Sequence, residues 1–141
     1  MTSQSSARSI RVVVIEDNAA DVYLIREALK REFAGVELEV FDNGAAVSKL
    51  VNRLTDGCSQ TPDIILLDLN LPRCDGKEVL QMLRQIPGRQ MVPVIIITSS
   101  NSPKDRDDCL SLGAAYYFRK PSDLSEFMKI STVIRNIVQP A

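Results

Sequence analysis

No histidine occurs anywhere in the 141 residues, and that absence removes more chemistry than any other feature. It excludes a Ser-His-Asp triad, a Cys-His pair, a histidine-based metal site and phosphohistidine chemistry on this chain. Any chemistry must fall to carboxylates, hydroxyls, lysine, backbone groups or a bound metal. Cys58, Cys74 and Cys109 are odd in number and widely spaced, with no C-x-x-C pair. That argues against a disulfide framework and a zinc site; they read as small packing residues, with Cys74 in a loop where it could react. No basic run or aromatic-interleaved stripe suggests a nucleic-acid surface. No apolar stretch approaches the roughly 20 residues of a membrane span. The N-terminal "MTSQSSARS" lacks the apolar segment of a signal peptide. The expectation is a cytoplasmic protein with a disordered tail over residues 1–9 and one folded domain over 10–141.

What is present is regular alternation. Apolar runs at Ile10–Ile15, Glu37–Phe41, Ile64–Leu67, Val94–Ile97 and Tyr116–Arg119 read as five strands. Runs of Val, Ile and Leu without polar alternation indicate strands covered on both faces. Between them lie helical spacings: Val22, Ile25, Leu29 and Phe33; Val47, Leu50, Val51 and Leu54; Val79, Met82, Leu83 and Ile86. A fourth helix starts at "SPKD", with Ser102 as cap, Pro103 in the first turn and Asp105 reaching back to complete a capping box. Gly113 stands where it should end. A fifth covers roughly Leu124 to Val138. Five strand–helix repeats predict an α/β fold of the flavodoxin-like, doubly wound kind, with strand order 2-1-3-4-5. In such sheets ligands bind beyond the C-terminal strand ends, near the point where strand order reverses.

The strand ends therefore matter. The segment "DIILLDLNLPRCDG" ends a buried strand on a carboxylate, Asp68, which is costly unless something nearby compensates it. The first strand ends in Glu16-Asp17, the fourth in Thr98-Ser99, the fifth in Lys120-Pro121. Under the expected order these fall in one row: carboxylates, carboxylate, hydroxyl, ammonium. Two carboxylates about 4 Å apart repel by roughly 4 kcal/mol at an effective dielectric of 20. Lys120 offsets part of this. A divalent cation offsets more, and an oxygen-only set suits Mg²⁺. Each residue alone has an ordinary explanation: Asp68 as loop polarity, Glu16-Asp17 as the lead into a helix capped by Asn18, Thr98 as a strand former, Lys120 as a solvated charge. Four sites in one compatible row favour a phosphoryl site, with the Asp68 carboxylate as nucleophile.

At "VVVIEDN", "LLDLNLPRCDG", "IIITSS" and "YYFRKP" the chain resembles the receiver domain of bacterial two-component response regulators over nearly its whole length. The resemblance implies Asp68 as phosphoacceptor for a histidine kinase. It implies Mg²⁺ bound by Asp17, Asp68 and the backbone carbonyl of Asn70, with Glu16 acting largely through water. Thr98 would bond the phosphoryl oxygen, Lys120 would pair with it, and Tyr117 would be the switch aromatic that turns inward as Thr98 moves. Lys120-Pro121 would be a cis peptide. Asn70 and Ser100 stand at positions that tune phosphate lifetime. The "DLNLPR-x-DG" and "TSS" wording resembles single-domain regulators paired with bacterial phytochrome kinases, which implies a light-sensing partner.

The sequence ends shortly after the fifth helix, so output is expected through contacts with another chain. Leu124, Phe127, Met128, Ile130, Val133, Ile134, Ile137 and Val138 spread over roughly 200° of helix surface, wider than one sheet-facing stripe. A homodimer through the face from the fourth strand to the fifth helix would use the excess; a helix wedged under a loop would too. Three other readings compete. A receiver-like interaction module would never be phosphorylated. A phosphatase with an aspartyl nucleophile would want an acid-base carboxylate where Asn70 stands. A flavodoxin-like cofactor binder would want a Gly-rich loop after the first strand, and none is there.

Overall fold

Residues 9–57, 60–89 and 91–139 are described by the structure, a computed structural model. Residues 1–8 of the expected tail and Cys58 lie outside the described residues, whereas Ser9 already belongs to the first strand. The strands are β1 (Ser9–Ile15), β2 (Gly35–Phe41), β3 (Ile64–Leu67), β4 (Val94–Thr98) and β5 (Tyr116–Arg119). All pair in parallel, in the order β2-β1-β3-β4-β5. The expected doubly wound order is the observed one, and it places the order reversal between β1 and β3.

Successive side chains of a strand point to opposite faces, and here both faces are dry. Val13, Ile15, Ile65, Leu67, Val94 and Ile96 face one core, with α2 (Gly44–Asp56), α3 (Gly76–Arg84) and α4 (Pro103–Ser111). Val12, Val14, Ile64, Leu66, Ile95 and Ile97 face the other, against α1 (Ala19–Glu32) and the C-terminal helical segments. Each buried Val, Leu or Ile contributes about 1.5–3 kcal/mol relative to exposure, so the three central strands are the thermodynamic centre of the molecule.

The helix faces follow the spacing with one exception. Ile25, Leu29, Phe33, Val47, Leu50, Leu54, Val79, Leu83 and Ile86 are buried. In α3, Leu80 is fully buried and Met82 is exposed, because the helix turns its Val79–Leu80–Leu83 stripe to the sheet. Two other expectations are corrected. The fifth helix is two segments, α5 (Leu124–Phe127) and α6 (Ile130–Val138). Around Met128 and Lys129 the backbone tightens: Ser131 N donates to Met128 O and Thr132 N to Lys129 O. The Ser131 hydroxyl also donates to Met128 O at 3.0 Å, and such local side-chain bonds compete with the helical ladder. The second correction is at Lys120-Pro121, which is trans, as is every peptide bond among the described residues. Trans is the lower-energy isomer before proline by about 0.5–1 kcal/mol, and it leaves Lys120 N donating to Thr98 O at 2.7 Å.

Gly76 begins α3 where the loop after β3 crosses back over the strand end. A Cβ there would lie 2.6 Å from Leu69 Cα and 3.1 Å from Asp68 O, so backbone would have to move. We expect Gly76→Ala to lower stability by about 1–3 kcal/mol, the range for overpacking. Urea unfolding should show this as a lower midpoint with unchanged slope.

Candidate functional site

Each strand of the row delivers its residue for a local reason. Asp68 N donates to Ile15 O at 3.0 Å and Glu16 N to Phe41 O at 3.1 Å. The ladder thus continues one residue past β1 and β3 and carries two carboxylates to one edge. Both are buried, Glu16 at 2% exposure and Asp68 at 5%, while Asp17 faces solvent. Carboxylate oxygens of Glu16, Asp17 and Asp68 lie within 4.8 Å of one another. Asn18 caps α1, accepting from Asp21 N at 3.0 Å, so the ordinary explanation of this stretch is also true.

Lys120 enters from beyond β5. Its Nζ lies 2.8 Å from Glu16 Oε1, 2.7 Å from Asp21 Oδ2 and 3.2 Å from Asp68 Oδ2. Burial works against the ammonium, but its bonds to Asp21 and Glu16 and the charges of Glu16 and Asp68 outweigh it, holding Lys120 above the ordinary lysine range. Glu16 goes the opposite way to a simple ion-pair partner. Burial first, then the hydrogen bond with Asp68, push it up to about 7 despite Lys120. Three carboxylates converge where a single ammonium reaches, so the acidic side is in excess. An oxygen-only donor set with surplus negative charge, open to solvent at Asp17, fits a hard divalent cation.

The hydroxyl side is a connected network. Asn70 N donates to Asp68 Oδ1 at 3.0 Å and Asn70 Nδ2 to Thr98 Oγ1 at 3.0 Å. The Asn70 side chain thus joins the two central residues. Ser100 N donates to Thr98 Oγ1 at 3.2 Å, and Tyr117 OH donates to the Ser100 carbonyl at 3.1 Å. Ser100 Oγ donates to Asp105 Oδ2 at 2.7 Å and accepts from Ser102 N. Asp105 N is capped by Ser102 Oγ as expected. The Asp105 carboxylate does not return to complete the box: it takes the Ser100 hydroxyl and Lys77 Nζ, the latter at 2.8 Å. Lys77 also reaches Asp108 at 2.9 Å and so ties α3 to α4.

Glu16, Asp17, Asp68, Asn70, Thr98 and Lys120 thus meet at one edge, and Tyr117 is linked to it through Ser100. Asp21, Lys77 and Asp105 were missed. Asp21 and Lys77 carry no motif that marks them in the sequence, and the sequence assigns Asp105 only to a capping box. Cys74 is half-buried and Cys109 buried; burial and the nearby Asp75 and Glu78 charges raise the Cys74 thiol, which opposes the expected reactivity.

The profile of the response regulator receiver domain matches residues 12–132. The chain belongs to this family. Response regulator Rcp1 of Synechocystis sp. is 33% identical over 131 residues, covering 92% of this chain and 88% of Rcp1. Response regulator MprA of Mycobacterium ulcerans is 31% identical over 122 residues, 85% of this chain but 47% of MprA. The receiver chain therefore spans about half the length of that relative. Among solved structures, the phosphorylated cyanobacterial phytochrome response regulator RcpA superposes with a TM-score of 0.83 at 29% identity, covering 95% of this chain and 97% of RcpA. The Mn²⁺-bound form of Rcp1 gives 0.80 at 30% identity, covering 94% and 96%. Both are thus like this receiver over almost all of both chains.

The cation Lys77 holds Asp105 below the usual carboxylate range, and Lys104 and Lys77 do the same for Asp108. Carboxylates depressed in the folded state stabilise it above their unfolded pKa and lose that contribution as pH falls through the folded one. Lys77→Met should therefore reduce thermal stability modestly at pH 7, these groups being only partly buried. Melts repeated at falling pH should show the difference from wild type shrinking to nothing once both carboxylates are protonated.

Proposed function

We propose that this receiver accepts a phosphoryl group on Asp68 from a phosphohistidine of a histidine kinase, with Mg²⁺ bound at Glu16, Asp17, Asp68 and Asn70. The observation that carries the reading is the buried Asp68 carboxylate with Lys120 Nζ 3.2 Å from Oδ2 and the Glu16 and Asp17 oxygens within 4.8 Å. An Asp68 oxygen attacks phosphorus, the P–N bond of the donor breaks, and an acyl phosphate forms. When bound, Mg²⁺ supplies neutralisation of the charge that builds on the phosphoryl oxygens. Lys120 offers N–H groups to the same oxygens, and the Thr98 hydroxyl is placed to bond one of them. The group adds about 1.5–2 negative charges. That change favours the arrangement in which Thr98 leaves Asn70 and Ser100, which loosens the contact through which Tyr117 is held.

The chain acts in this reading as a phosphoacceptor that assists only its own phosphorylation and dephosphorylation. The likeness to phytochrome response regulators supports a phytochrome-type kinase as donor. Output passes by protein contact. Exposed Leu110 and Tyr116, which line a groove of about 490 Å³ between α4 and β5, and exposed Leu124 support a homodimer across β4 to α5. The aspartyl phosphatase reading is weaker: Asn70, which spends its amide on Thr98, has no proton to exchange as acid or base.

Incubation with acetyl phosphate and Mg²⁺ should add one phosphoryl group, read by intact mass after rapid quenching. Asp68→Asn and a chelator should each abolish it. No adduct in the wild type, and no binding of a phosphoryl analogue, would leave a receiver-shaped interaction module as the better account.

A further inference from the structure

Asp21 is the third residue of α1, and an acid in a first turn is favoured by the helix dipole wherever it points. That explanation predicts a solvated carboxylate. Instead the Asp21 side chain is only 18% exposed, and its Oδ2 lies 2.7 Å from Lys120 Nζ, closer than Glu16 at 2.8 Å or Asp68 at 3.2 Å. The ammonium carries three N–H groups and has three carboxylates within reach. Two of those three, Glu16 and Asp68, are residues whose oxygens also converge with Asp17. Asp21 is outside that convergent set. A half-buried ammonium without a partner is strongly disfavoured, so a lysine with only Glu16 and Asp68 to turn to would compete with any cation for them.

We propose that Asp21 is a positioning residue that takes a share of the Lys120 ammonium, so that Glu16 and Asp68, which the ammonium also contacts, yield more easily to a divalent cation. The proposal rests on the reading of the site given above. Here the ammonium is shared among Asp21, Glu16 and Asp68. Asp21, outside the convergent set, can keep its hold on Lys120 when a cation takes the other two; without Asp21, the ammonium has only the oxygens the cation needs. The residue works through Lys120 and touches no phosphoryl group itself.

A double-mutant cycle on the full chain tests this, with Mg²⁺ affinity read by titration calorimetry. Asp21→Asn should weaken Mg²⁺ binding about fivefold or more, the scale of coupling between contacting charges. In a Lys120→Met background, where there is no ammonium to share, the same substitution should change affinity less than about twofold. Asp21→Glu should restore most of the wild-type affinity, and Asp21→Ser, which also suits a first turn, serves if the Asn variant does not fold. An equal loss in both backgrounds would show that Asp21 contributes only its charge at a distance, and would overturn the proposal while the site reading stands. Absence of Mg²⁺ binding by the wild type would overturn both.

Discussion

One ammonium among four carboxylates is the constraint on which this molecule turns. Glu16, Asp17, Asp21 and Asp68 gather at the C-terminal edge of a sheet packed on both faces against apolar clusters. Lys120 is the cation that lets them do so. Negative charge at this density would open a domain held together only by its core, where each pair at contact distance costs about 4 kcal/mol. The Lys120 contacts draw together the ends of β1, β3 and β5 and the start of α1. They do not complete the neutralisation, because one ammonium faces four carboxylates. The site is built slightly short of positive charge, and that shortfall is what makes it receptive to a cation.

The sheet supplies the precision. A carboxylate one residue past a strand is placed by the ladder itself, through Asp68 N on Ile15 O and Glu16 N on Phe41 O. Because β1, β3 and β4 are buried on both faces, these ends have little freedom to slide: a shift of one residue would turn every Val, Ile and Leu to the wrong core. The same dry layers that stabilise the fold hold the acidic row in register.

This division explains what was legible in the sequence. Unbroken runs such as Ile64–Leu67 and Val94–Ile97 betray strands covered on both sides, and their terminal residues then locate Asp68 and Thr98 without further information. Residues that act through the strand ends were legible; those that act across the fold were not. Asp21 and Asp105 sit where helices ordinarily carry acids, so their positions mask their partners, Lys120 and Lys77, which are remote in sequence. The break between α5 and α6 escaped for another reason. The apolar period runs unbroken from Leu124 to Val138, and only the Ser131 hydroxyl, bonded to the Met128 carbonyl, marks the interruption. Lys120-Pro121 was expected cis by resemblance alone, and the bond is trans.

Ser100 gathers four contacts on a single residue: Thr98 through its amide, Asp105 and Ser102 through its hydroxyl, and Tyr117 through its carbonyl. These partners belong to β4, the start of α4 and β5. Bonds that share one anchor are not lost one at a time, because displacing the anchor strains all of them together. A displacement at Thr98 that moves Ser100 would therefore act on the start of α4 and on the Tyr117 ring together. One small residue thus serves as the joint between a strand end, a helix start and an aromatic side chain.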